Sequence, residues 1–278
     1  MSPWRLTRRL ASYAFALRAE DAELAQVADS LFSAAAAPPD AVPGACFTLT
    51  RRGGGGVLLD AARPACAADD LAGLFAAAEW HLTRCAMQAL TGYLQVHAAT
   101  VVVDGGAILA AGPPESGKTS LALGLAVAGG ALAGDEVALL DPQSARVTPF
   151  PRDLIVHDGT ARLYAGRLPC IRVPAWKTFP GYVHAAPHEL GLRTAQGPAL
   201  VRRLVFPVRR PSGTTQCRPL GPAEAARRLL EQVFSLPQPG AAGLEMIGRL
   251  AEECAPLEVS FCDADAAARD LLCLPANG

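Results

Sequence analysis

The stretch that most limits what this chain can fold into is Gly112-Pro113-Pro114-Glu115-Ser116-Gly117-Lys118-Thr119, which reads G-x-x-x-x-G-K-T. An apolar, strand-like run, Ala107-Ile108-Leu109-Ala110-Ala111, precedes it, and a helix-like run over residues 121–126 follows. Strand, loop and helix in that order are the context a phosphate-binding loop requires. The glycines let the backbone curl until successive N–H groups point inward at an anion. The following helix adds its free N–H groups and the positive end of its dipole. The expected nucleotide contacts are Gly112, Glu115, Ser116, Gly117, Lys118, Thr119 and Ser120. Lys118 supplies a point charge for the β and γ phosphates, and Thr119 a hydroxyl for Mg2+. From the chain's own Gly, Lys, Ser and Thr content, a chance match is on the order of one in a thousand. Lysine is scarce: Lys118 and Lys177 stand against 23 arginines, and one of the two occupies the motif position.

Two features of the loop are unusual. Pro113 and Pro114 carry no N–H, so the cradle has to be made mostly from residue 115 onward. Glu115 brings a negative charge toward the phosphates and is expected to point away from them.

The flanks add two more elements. Val96-His97-Ala98-Ala99 opens a strand fifteen residues before the loop, and Ala133-Gly134-Asp135-Glu136-Val137 follows the helix. With these spacings, His97 to Gly112 and Lys118 to Asp135, the chain resembles the catalytic domain of the HPr kinase/phosphorylase family, clearly over residues 93–160 and more loosely beyond. The resemblance implies a P-loop kinase core with a mixed sheet of the HPr kinase/PEP carboxykinase type. It implies ATP and Mg2+ as cofactors, Asp135 as general base, and Glu136 beside the metal with Thr119. It also implies a site role for His97, which would orient or tune Asp135. Lys118 completes the catalytic set. A Phe-Pro-Arg segment, Phe150-Pro151-Arg152, makes Arg152 a candidate substrate contact by the same resemblance. The family's downstream glycine-rich signature is not found in residues 150–215, which argues against phosphorolysis.

A length of 278 residues suits one large domain or two modest ones. We expect a small α+β lobe over residues 1–92 and the catalytic domain over 93–278. Net charge is −1, so no global field draws in nucleic acid or an anionic membrane. No run of 18 uncharged apolar residues occurs outside the Gly-rich loop region, and the short apolar stretch after Arg9 makes a poor signal peptide. None of the eight cysteines forms C-x-x-C or a zinc-type spacing; incidental thiols in a reducing cytoplasm are expected.

In the first lobe, residues 11–18 read as a strand and 22–36 as a helix stopped by Pro38-Pro39. Residues 46–51 and 57–60 read as a hairpin, and a helix begins near Asp69 or Asp70. Residues 96–103 and 107–111 read as an antiparallel pair around Asp104-Gly105-Gly106. Nine Gly or Pro residues fall in 166–198, so an irregular loop is expected there. Beyond it come a strand over 200–208, helices over 222–234 and 244–254, a strand over 256–261 and a last helix over 263–272.

Three other features are read conservatively. Asp141 ends an apolar strand but precedes proline, which makes an ordinary turn the simpler reading. His184 and His188 are four apart, yet Pro187 lies between them and no third ligand is evident, so loop histidines are expected. Arg202, Arg203, Arg209 and Arg210 read as a solvated rim, with complement to an acidic substrate as the alternative.

These observations point to an ATP-dependent kinase that phosphorylates a hydroxyl, serine of a protein or peptide above all, with homo-oligomers left open. A small-molecule hydroxyl kinase and a non-catalytic nucleotide-binding regulator are the alternatives.

Overall fold

The computed structural model describes residues 4–168, 172–234 and 240–275. Cys170 and part of the expected irregular stretch lie outside the described residues. Contacts divide the chain into two units: residues 1–90 with 151–190, and residues 91–150 with 191–278. Sequence alone assigned 151–190 to the second.

The first unit opens with β1 (Trp4–Leu10), β2 (Tyr13–Ala19), α1 (Ala22–Ser30), β3 (Ala45–Arg52), β4 (Gly55–Asp60), β5 (Arg63–Ala68) and α2 (Leu71–Ala89). The second begins with β6 (Leu94–Val96), β7 (Ala98–Val103), β8 (Gly106–Ala111), α3 (Lys118–Val127), β9 (Ala131–Gly134), β10 (Ala138–Leu140) and β11 (Arg146–Thr148). The chain then returns to the first unit with β12 (Leu154–His157), α4 (Asp158–Leu163), β13 (Thr178–Phe179) and β14 (Tyr182–Ala185). It closes the second with β15 (Arg193–Thr194), β16 (Ala199–Arg209), β17 (Gln216–Pro219), α5 (Pro222–Leu230), α6 (Ala241–Glu253), β18 (Leu257–Phe261) and α7 (Ala264–Cys273).

In the first unit β1 to β5 form a sheet in sequence order, antiparallel except for the parallel β2–β3 pair. α1 packs on β2 and β3, and α2 on β4 and β5. Asp21 and Asp70 cap these helices, accepting from Leu24 N at 2.8 Å and Gly73 N at 2.7 Å. α1 stops at Ser30, six residues short of expectation. Leu31 turns extended and Phe32 takes φ 52°, which sends both side chains into the core. Burial of two large apolar groups outweighs the modest cost of leaving the helix. Phe32 then meets Phe15 edge-on at 5.9 Å, and Phe15 meets Phe47 at 6.0 Å. Antiparallel β12, β14 and β13 form a small separate sheet, and β13 and β14 fall where sequence suggested an irregular loop.

The second unit is built on a ten-stranded mixed sheet with the central order β15-β9-β7-β8-β16-β11-β10-β6. β16 is long enough to pair with β8 and β11 in its first half and with parallel β18 in its second. Ala107, Leu109 and Ala111 of β8 share one core with Leu229 of α5 and Met246 and Leu250 of α6. Alternate residues of a strand face opposite ways, and α3, which also packs on α7, covers the other face. The protein is thus mixed α/β, with parallel and antiparallel pairings combined in two of its sheets. Among the described residues, no helix is long and apolar enough to cross a membrane.

Candidate functional site

Strand direction brings most of the expected residues to one edge of the mixed sheet. β8 and β9 both run antiparallel to β7, which lies between them. Ala98 pairs with Ala111 and Thr100 with Gly134. The start of β7 and the ends of β8 and β9 therefore coincide. His97, the loop after Ala111, and Asp135-Glu136 all leave the sheet there. Ligands in open α/β sheets bind outside the carboxyl ends of parallel strands.

Gly117 opens α3 with φ 100°, and a Cβ there would come 2.7 Å from Cζ of Phe261. A Cβ on Gly112 would stand 2.9 Å from Ser116 Oγ. Ser116 N donates to Pro113 O at 3.3 Å and closes the turn. Glu115 is exposed and holds φ 64° without being glycine. That conformation costs about 1–2 kcal/mol.

Lys118 is 4 % exposed and donates to the carbonyls of Gly112 and Pro113, both at 2.9 Å. It braces the loop from inside. Burial pulls its ammonium below the usual lysine range, and the charges of Glu136 and Asp135 oppose that shift. Thr119 Oγ1 donates to Asp135 Oδ2 at 2.9 Å, and Asp135 is 2 % exposed. Ser120 is buried within α3.

Sequence reading joined His97 to Asp135; the structure joins it to Glu136, with Nε2 3.0 Å from Oε2. The reason is local. Past the end of β9 at Gly134, Asp135 turns inward to Thr119 while Glu136 enters the left-handed region at φ 74°, which sends the two side chains apart. His97 is held by its own N–H, which donates to Gln232 O at 2.7 Å, and by Phe234, 5.8 Å between ring centres.

A cavity of about 500 Å³ borders the loop, lined by residues 111–116, residues 206–209, Arg227 and Arg228, and also by Glu231, Gln232 and Glu258. Its volume suits a nucleotide-sized ligand. Arg228 is committed to Glu224 at 2.6 Å and Glu258 at 2.9 Å. Arg209, at the end of β16, has no carboxylate partner among the described residues. The expected arginine rim is therefore split. Arg203 points elsewhere and donates to Leu271 O and Leu274 O, at 3.3 and 3.0 Å, at the end of α7. Asp141 makes the turn expected of it, accepting from Gln143 N at 3.0 Å and Ser144 Oγ at 2.6 Å.

Arg152 belongs to the first unit. It is buried and forked onto Glu79, with both contacts at 2.8 Å. A substrate role would have to open that bidentate pair. Beside it in sequence, Asp153 meets Lys177 at 2.7 Å. Lys177 is fully buried, pairs also with Glu189, and lies 6.0 Å from the centre of the Phe75 ring. His184 is a buried strand residue packed on Phe75 and Phe179, not the loop histidine expected from sequence. Sequence reasoning missed this polar core. The one available signal was that Lys177 is one of only two lysines.

No protein-family model matches this chain, and neither does any curated protein.

Proposed function

We propose that the second unit is an ATP-dependent kinase core of the HPr kinase type, which transfers the γ-phosphoryl group to a hydroxyl, serine of a protein or peptide above all. The observation that carries this reading is the convergence at one sheet edge of Lys118 in its loop, the Thr119–Asp135 hydrogen bond and the His97–Glu136 pair. The two motif glycines support it, because a Cβ would crowd Ser116 Oγ at Gly112 and the Phe261 ring at Gly117.

In such a transfer the acceptor oxygen bonds to the γ-phosphorus as the bond to the bridging oxygen breaks. The hydroxyl proton passes to a carboxylate. Mg2+, when bound, offsets the charge on the phosphates. The resemblance makes Asp135 the base and Glu136 the metal-side residue. The contacts of this chain favour the reverse. Asp135 shares a hydrogen bond with Thr119, the residue suited to Mg2+. Glu136 sits beside His97, which can hold it in place and stabilise its charge. The prolines at 113 and 114 favour a second reading, a nucleotide-dependent regulator, which predicts ATP binding without turnover.

Paired variants separate these assignments. Glu136→Gln should leave ATP–Mg2+ binding within a few-fold and lower phosphoryl transfer by roughly 10²–10⁴. Asp135→Asn should weaken Mg2+-dependent binding and rate together. The opposite pattern restores the roles implied by the resemblance. Full transfer activity in both variants contradicts the kinase reading.

A further inference from the structure

We infer that the first unit carries a binding site for a borderline-soft divalent cation, Zn2+ above all, formed by Asp60, His81 and Cys85. The inference is independent of the kinase reading. His81 and Cys85 are four residues apart on α2 and so share one helix face. Asp60 is the last residue of β4, on which α2 packs. His81 Nε2 lies 3.4 Å from Cys85 Sγ and 3.9 Å from Asp60 Oδ2, and one ligand atom from each of the three residues falls within 4.8 Å of the others.

Those separations match the requirement of the ion. Zinc bonds of about 2.0–2.1 Å to nitrogen, 2.3 Å to sulfur and 2.0–2.2 Å to oxygen, at tetrahedral angles, place ligand atoms roughly 3.3–3.6 Å apart. The His–Cys edge already fits. The Asp60 side chain, 45 % exposed, is free to close the rest. A nitrogen, a thiolate and one carboxylate suit zinc and disfavour Mg2+ or Ca2+, which prefer all-oxygen shells. Three protein ligands leave a fourth position for water. One contact has to change: Arg84 Nη2 lies 3.3 Å from His81 Nδ1. With Nε2 on the metal, Nδ1 keeps the ring proton, so the exposed Arg84 guanidinium turns away. Bound metal would tie α2 to the end of β4 and stabilise the first unit by mass action.

The test is a Co2+ titration of tag-free, chelator-treated full-length protein, followed by displacement with Zn2+. One Co2+ per chain should bind, with thiolate-to-metal charge-transfer and tetrahedral d–d bands that Zn2+ abolishes and Mg2+ leaves intact. Cys85→Ser should remove the charge-transfer band, and Cys217→Ser should not. His81→Asn and Asp60→Asn should each weaken affinity at least about tenfold, which keeps the test decisive if Cys85→Ser fails to fold. No thiolate band, a band that survives Cys85→Ser, or affinity unchanged in both His81→Asn and Asp60→Asn would overturn the site.

Discussion

Asp153 and His184 are displaced in opposite directions by the same burial. Desolvation pushes the Asp153 carboxyl up to about 6 although Lys177 opposes it, and it pushes His184 down to about 4, helped by Arg152 and Lys177. The folded pKa of His184 lies below its ordinary value of 6.5, so its stabilising share is present above that pH and lost as pH falls through 4. The folded pKa of Asp153 lies above its ordinary 3.8, so its share is present below 3.8 and lost as pH rises through 6. Across the interval in between, the two effects cancel. Removing one should expose the other. Asp153→Asn should make stability fall by up to about 1.4 kcal/mol per pH unit on acidification from 6 to 4, relative to the unsubstituted protein, and His184→Phe should make it rise by a similar slope. Denaturant melts at several pH values read this directly. Parallel pH profiles for all three proteins would contradict the burial argument. The burial of His184 is not legible in the sequence, because it comes from packing of β14 on Phe75 of α2, far away in the chain.

At the scale of elements, two hairpins show what was legible and what was not. β7 and β8 are joined by Asp104 and Gly105, at φ 49° and 78°. An Asp-Gly pair between apolar runs is the expected chemistry for such a turn, and sequence reading found it. β4 and β5 are joined by Ala61 and Ala62, at φ 46° and 67°. Alanine gives no turn signal, so β5 went unseen. The same residues make a prediction. Both are exposed and both pay the left-handed penalty. Replacing Ala61-Ala62 with Asn-Gly should raise stability by about 1–2 kcal/mol. An unchanged or lower denaturation midpoint would mean that the turn is relaxed in some other way. The start of α2 was legible because Asp69-Asp70 precedes an apolar run, and Asp70 makes the cap.

For the whole molecule, the chain order hides the division into units. Each unit takes two separate segments, and residues 151–190 join the first. Their Gly and Pro content reads as a loop, and nothing local records that Arg152 will pair with Glu79, 73 residues away. The candidate site residues were grouped by family resemblance as well as spacing; they meet at one edge because they come from short connections on three strands of one sheet, whereas the His97 partner depended on one backbone turn at Glu136. The central claim is that this edge binds a nucleoside triphosphate through Lys118. Calorimetric titration with ATP–Mg2+ tests it most directly. The unsubstituted protein should bind one equivalent, and Lys118→Ala should lose roughly 10–100-fold in affinity, the worth of a charge-assisted contact, while remaining folded by circular dichroism. Equal affinity in the two proteins, or no binding in either, would contradict the account.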